Sequence, residues 1–356
     1  MDNVTIFDGM GSFVSAHEVA VDTAAGRTVL QGEKIFINTG STPVLPPIDG
    51  LSDCPYVYTS ETLMRHPVLP QRLAIIGSGY IGVEFASMYA SFGSEVIIIQ
   101  DGEVFLPRED RDMADAILAA LAAKGVQLIR GAAVQSIHTE DNTATVLYSV
   151  NGENCLLAAQ AVLVATGRQP NTDGLHAENA DVQLTPRGAV QVDDLLRTTA
   201  PNIWAMGDVA GGLQFTYISL DDYRIVSAQL RDTLGHAANT RGPVAYSVFM
   251  DPPFARVGMS EAEAQKTGLH YKAVTMPAAA VPKAQVLRKT QGLLKAIVDT
   301  DTNKILGVSL LCAESHETIN TVQLAMRMGA DYTVLRDNIY THPTMTEALN
   351  DLFALV

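Results

Sequence analysis

Three glycines carry the clearest chemistry in this sequence: Gly77, Gly79 and Gly82 of the stretch LAIIGSGYIGVE at residues 73–84. An apolar run that ends in G-x-G-x-x-G and feeds a helix is the fingerprint of a dinucleotide diphosphate site. Gly77 permits the tight turn, Gly79 lets phosphate approach bare backbone, and Gly82 lets the helix lie close to the sheet. Tyr80 and Ile81 open that helix, so their N–H groups belong to the anion-binding terminus. The thiols offer less. Cys54, Cys155 and Cys312 show neither pairing nor metal-ligand spacing, and are expected to be free. Seven of the eight histidines share no ligand spacing, and His316 reads as a surface residue at a helix start.

The elements that must position the glycine turn follow from periodicity. Phe85, Met88, Tyr89 and Phe92 keep helical spacing and Gly93 stops the helix. A strand is expected at 96–99, a helix at 112–123 and a strand at 126–129. This β-α-β-α-β order is a nucleotide-binding half. Upstream, short β segments at 4–7, 12–14, 18–21, 28–30 and 34–37 suggest an antiparallel meander, and 60–64 a brief helix. A second meander is expected over 134–157.

One internal repeat organises the rest. Residues 161–170, AVLVATGRQP, echo residues 34–43, KIFINTGSTP: each is a strand followed by T-G-x-x-P, and each lies just after a meander. The repeat implies two similar nucleotide-binding modules. The second contains the fingerprint at Gly77, whereas none precedes Thr39, so the first module is expected to lack an opening βαβ unit of about 30 residues. Further on, 202–206 is a strand running into Gly207-Asp208 and 219–234 a helix. Residues beyond 243 form an α+β region with strands at 244–249, 271–276, 293–299 and 305–311 and a helix at 315–328.

The 356 residues include 39 acidic and 24 basic side chains, a formal net charge of −15. Such a surface repels nucleic acid and anionic membrane. No apolar run approaches the roughly 18 residues of a membrane-spanning helix, and the first residues lack the basic and apolar blocks of a signal peptide. A cytoplasmic location with neither nucleic-acid nor membrane partners is expected.

In order and motif the chain resembles the pyridine nucleotide-disulfide oxidoreductases, flavoproteins that include glutathione reductase and mercuric reductase. It is most similar to the reactive-chlorine-resistance branch, on the strings FLPREDR at 105–111, GGLQFTYISLDD at 211–222 and SVFMDPP at 247–253. The resemblance implies an α/β, Rossmann-like pair of FAD- and NAD(P)-binding modules with a C-terminal α+β dimerisation domain. The expected divisions are a partial FAD-binding domain at 1–70, an NAD(P)-binding domain at 71–160, a returning FAD segment at 161–240 and the dimerisation domain at 243–356.

The resemblance also implies roles. Gly77, Gly79 and Gly82 would hold the pyrophosphate of NADH or NADPH, with Glu84 beside the nicotinamide half. Thr39-Gly40 and Thr166-Gly167 would be backbone turns near FAD, and Gly207-Asp208 would place a carboxylate on the ribityl chain. A helix N-cap is the other reading of Asp208. Arg168 is either a cofactor-phosphate contact or a salt-bridge partner. Donor choice is read at the end of the second strand, where an acid accepts from the ribose 2′-hydroxyl. Gln100 stands there with Asp101 beside it, which favours NADH; Arg108 is the nearest arginine.

His342 and Glu347 match the family's His-Pro…Glu dyad, in which Glu orients an imidazole that handles a proton at the substrate, reaching across a homodimer interface to the other subunit's flavin. Thr344-x-x-Glu347 equally fits a capping box for a final helix. The family's C-x-x-x-x-C pair is not found among these residues. Two functions are therefore expected in parallel: an FAD-dependent NAD(P)H oxidoreductase passing electrons to a disulfide, oxidant or metal ion, or a non-catalytic NAD(H)-binding and dimerisation fragment of one.

Overall fold

The computed structural model describes residues 3–233 and 235–356. The chain forms two compact units, Met1–Val44 with Arg168–Gly242 and Leu45–Gly167 with Pro243–Val356.

The larger unit is built on a parallel sheet in the order Val57–Tyr58, Ala161–Val164, Arg72–Ile76, Glu95–Ile99, Gln127–Ile129. Its strands are apolar on both sides because both faces are covered. Leu73, Ile75, Val96 and Ile98 pack against Phe85, Ala86, Met113, Ile117 and Leu121 of the helices Tyr80–Phe92 and Arg111–Ala123. The alternate residues Ala74, Ile76, Ile97 and Ile99 face Ile137 and Val146 of an antiparallel meander, Ala132–Glu140, Thr143–Val150 and Glu153–Ala159. Burying both sides of the strand Arg72–Ile76 fixes the direction in which it delivers the glycine turn.

The same unit carries a five-stranded antiparallel sheet in the order Tyr246–Val248, Phe254–Gly258, Ile305–Leu311, Leu293–Asp299, Tyr271–Pro277. The helices Ser315–Arg327 and Ala348–Ala354 contribute Ile319, Val322, Leu349, Leu352 and Phe353 to its core. The strand Phe254–Gly258, bracketed by Pro253 and Gly258, is absent from the sequence expectation.

The smaller unit contains the first meander, Met10–Ser15, Glu18–Thr23 and Gly26–Gln31, and a parallel pair, Ile35–Ile37 with Ile203–Ala205. Its two T-G-x-x-P arms meet: Ser41–Pro43 pairs antiparallel with Arg168–Pro170, Thr42 opposite Gln169. Two expectations need correction. Residues 4–7 form no strand; Val4 and Ile6 are exposed, and β propensity without a partner strand makes no ladder. The helix expected at 219–234 is Thr216–Leu230, with Arg231 as its C-cap; Leu234 lies outside the described residues.

Candidate functional site

The glycine turn has the geometry its spacing demands. Gly77 has φ +106°, and a Cβ there would lie 2.5 Å from the carbonyl oxygen of Ala165. A Cβ on Gly82 would lie 2.2 Å from the carbonyl oxygen of Gly77, so this helix turn can sit against the loop only without a side chain. Gly79 differs: a Cβ there meets nothing within 4 Å. Gly79 is also the N-cap of the helix Tyr80–Phe92 and no side chain caps that terminus. Open space over uncapped N–H groups of the first turn is what a diphosphate requires. The residues present therefore fit a pyridine dinucleotide.

Around this cradle the structure places the other expected residues. Glu84 Oε1 accepts from the Phe249 N–H at 3.0 Å, and burial pushes its carboxyl above the ordinary range. Gln100 is buried; its Oε1 accepts from the Ser78 hydroxyl and its Nε2 donates to the Gly102 carbonyl at 2.5 Å, one bond at each end of the amide. Asp101 is exposed and Oδ1 accepts from the Gly102 N–H at 2.8 Å.

Tyr80 reaches a buried cluster that the sequence did not reveal. The Tyr80 and Tyr246 hydroxyls both donate to Glu109 Oε1, at 2.5 and 2.6 Å, and the two rings lie 5.5 Å apart. Glu109 Oε2 pairs with Arg256 at 3.3 Å, and Arg256 also binds Glu263. Burial first, and then the Glu109 charge, push both phenols far above their ordinary range, so they remain donors. Tyr246 and Arg256 come from the antiparallel sheet. The cluster thus fixes the first residue of the cradle helix to that sheet.

In the same unit, His342 Nδ1 lies 2.8 Å from Glu347 Oε2, while Glu347 Oε1 accepts from the Thr344 N–H at 2.9 Å. The Thr344 hydroxyl accepts from the Glu347 N–H at 3.3 Å. One carboxylate therefore serves both the dyad and the box that precedes the helix Ala348–Ala354. Burial opposes ionisation of Glu347, but the bonds from His342 and Thr344 override it and hold the carboxyl below its ordinary range. The imidazole is two-thirds exposed. Its Nε2 has no hydrogen-bond partner among the described residues.

The smaller unit holds the remaining residues. Asp208 does not cap a helix; the short turn Gly207–Ala210 has Met206 as its N-cap, and Asp208 Oδ2 accepts from the Ser41 hydroxyl at 2.6 Å. Arg168 donates to Ser41 twice, Nε to the hydroxyl at 2.8 Å and Nη2 to the carbonyl at 2.6 Å. Thr39 donates to the Asn171 carbonyl at 2.6 Å, and Gly40 has φ +72° with open space at its Cβ position. Gly207, also at positive φ, donates its N–H to the buried Asp222 at 2.7 Å. Asp208 retains Oδ1 as an acceptor, which fits a ribityl hydroxyl. A second glycine cradle for the diphosphate of a flavin dinucleotide does not occur among the 356 residues. In the larger unit, Gly167 leaves the strand Ala161–Val164 at φ +137°, again with an open Cβ position.

All three cysteines are unpaired, and burial and then the nearby Glu314 push the Cys312 thiol up to about 12. Among the described residues no cluster of His, Cys, Asp and Glu could hold a metal ion, and no helix is long and apolar enough to cross a membrane.

Comparison with known proteins agrees with this geometry. Residues 2–222 match the family described as pyridine nucleotide-disulphide oxidoreductase, and residues 244–353 match its dimerisation domain. The chain is 51% identical over 356 residues to the probable pyridine nucleotide-disulfide oxidoreductase RclA of Escherichia coli K12, covering all of this chain and 80% of that protein. It is 32% identical over 347 residues to a mercuric reductase of Lysinibacillus sphaericus, covering 98% of this chain and 62% of that one. Among solved structures, the Cu(II) complex of the HOCl-induced flavoprotein disulfide reductase RclA from Escherichia coli superposes with a TM-score of 0.95 at 51% identity, covering all of this chain and 80% of that one.

Proposed function

Because this chain belongs to the pyridine nucleotide-disulphide oxidoreductase family, we propose that it works as the donor-binding and dimer-forming body of an FAD-dependent NAD(P)H oxidoreductase. The acceptor is a small molecule or ion: a disulfide, an oxidant or a metal ion. One observation carries the reading, the open and uncapped helix terminus at Gly79 between two glycines that tolerate no side chain.

Bound flavin supplies a two-electron relay between nicotinamide and acceptor. The protein's own residues bind and orient. Gly77, Gly79 and Gly82 hold the donor diphosphate with the N–H groups of Tyr80 and Ile81. Asp208 Oδ1 accepts from a ribityl hydroxyl, and the bonds from Arg168 to Ser41 fix the hydroxyl that donates to its other oxygen. His342, oriented by Glu347, exchanges a proton at the acceptor through Nε2 in the homodimer. No thiol step is assigned to Cys54, Cys155 or Cys312. The metals named with the relatives, Cu(II) in a complex and mercury in a reductase, support a metal-ion acceptor.

The test is an anaerobic titration of the purified protein with NADH and with NADPH, reading flavin absorbance and oligomeric state. A dimer with one flavin per chain that bleaches on adding donor supports the reading. A colourless protein that binds donor overturns the flavin part, and one that binds no donor overturns the whole.

A further inference from the structure

Donor choice in a parallel nucleotide-binding sheet is made at the carboxyl edge, where the second strand ends. An acid there accepts from the 2′-hydroxyl of NADH and repels the 2′-phosphate of NADPH, whereas an arginine nearby accommodates that phosphate. In this chain the position belongs to Gln100, which has no charge and whose amide is held by Ser78 and Gly102. It cannot repel a phosphate.

The next strand brings a cation to the same edge. Gln127–Ile129 runs parallel to Glu95–Ile99 with Ile129 opposite Ile99, and the Gln100 N–H donates to the Ile129 carbonyl at 2.9 Å. Arg130 therefore leaves the sheet alongside Gln100. It is exposed, and among the described residues its guanidinium has no hydrogen bond or ion pair. Several other cations of this unit are committed, Arg72 to Glu95, Lys124 to Asp251, Arg256 to Glu109, and Lys295 to Asp110, Asp112 and Glu261, whereas Arg108, in the loop after the second strand, is exposed like Arg130. The charges opposing a phosphate are Asp101, with one oxygen on the Gly102 N–H, and Glu103, whose carboxylate packs against Gly131.

We propose that Arg130 is the specificity-determining residue for the adenosine 2′ position, and that the site takes NADPH at least as tightly as NADH. The proposal rests on the donor-binding reading above. A guanidinium matches phosphate through charge-assisted, bidentate hydrogen bonds, and its attraction here is opposed by Asp101 and Glu103 but by no acid at the Gln100 position itself.

The test is calorimetric titration of the whole chain with NAD+ and NADP+, for the wild type, Arg130→Ala and Glu103→Gln. The wild type is expected to bind NADP+ at least as tightly as NAD+. Arg130→Ala is expected to weaken NADP+ by about tenfold or more and NAD+ by less than about twofold, and Glu103→Gln to strengthen NADP+ selectively. Wild-type binding of NADP+ about tenfold weaker than NAD+, or an equal effect of Arg130→Ala on both, overturns the assignment while leaving donor binding intact. Binding of neither nucleotide overturns the donor-binding reading itself, and this proposal with it.

Discussion

Replacing Glu109 by alanine should unlock the cradle helix from the antiparallel sheet. The Glu109 side chain is 1% exposed and accepts from two tyrosine hydroxyls and one guanidinium. Its removal leaves Arg256, 7% exposed, with Glu263 and the Arg108 and Gly258 carbonyls, and leaves the Tyr80 and Tyr246 hydroxyls without their carboxylate. Breaking a buried ion pair by deleting one partner costs about 3–5 kcal/mol. Arg256 keeps a second carboxylate, which places Glu109→Ala near the lower end. Glu109→Gln keeps one oxygen for both hydroxyls but turns an NH2 donor toward the Arg256 guanidinium in place of the accepting oxygen, so about 1–3 kcal/mol is expected. Thermal unfolding at pH 7, followed alongside hydrogen exchange at the start of the helix Tyr80–Phe92, is the assay. Both variants should lower the midpoint, alanine more than glutamine, with faster exchange at the Val83 N–H, which bonds to the Gly79 carbonyl, and in the turn that follows it. An alanine variant within about 0.5 kcal/mol of wild type, the range of ordinary surface substitutions, would refute the reasoning.

Other consequences follow from single residues. Gly77→Ala adds a Cβ 2.5 Å from a backbone carbonyl at a φ of +106°, and should destabilise by at least the roughly 1–3 kcal/mol of a strained backbone, read as a lower thermal midpoint. Burial opposes ionisation of Asp110, yet the N–H groups of Glu261 and Ala262 and the Lys295 ammonium hold its pKa below the ordinary value. Its stabilising contribution is therefore full above the unfolded pKa of about 4 and disappears as pH falls through the lower folded value. Asp110→Asn should accordingly be less stable than wild type at pH 7, and the gap should narrow in acid melts below about pH 4. With its thiol pushed up to about 12, Cys312 should resist alkylation at pH 7 in the native protein while the partly exposed Cys155 reacts, as peptide mapping would show.

The parts of the fold that depend on local pattern were legible in the sequence. Leu293–Asp299 and Ile305–Leu311 have the expected bounds, because continuous apolar runs between polar turns leave little choice. The T-G-x-x-P repeat disclosed two related arms, though not that they pair with each other. Residues 4–7 misled because their propensity finds no partner strand. At the site, the glycines and the His342–Glu347 pair were readable, since short spacing determines both. Glu109, Tyr246 and Arg256 were not, because the strands of a distant sheet bring them to Tyr80. Arg130 escaped for a related reason: it is 30 positions from Gln100 in the chain and beside it only across a parallel ladder. For Gln100, sequence shows an amide's capacity to bond but not that Ser78 and Gly102 already share it.

The central claim is that a pyridine dinucleotide lies over Gly79, and Gly79→Val tests it most directly. A Cβ there meets no protein atom within 4 Å and Gly79 has an ordinary φ of −68°, so the fold should persist, yet the side chain fills the space through which phosphate reaches the helix terminus. In equilibrium titrations with NAD+, the wild type should bind and the variant, with an unchanged circular dichroism spectrum, should bind at least about tenfold more weakly, as expected when charge-assisted hydrogen bonds to phosphate are lost. Equal affinity of the two proteins would contradict the account.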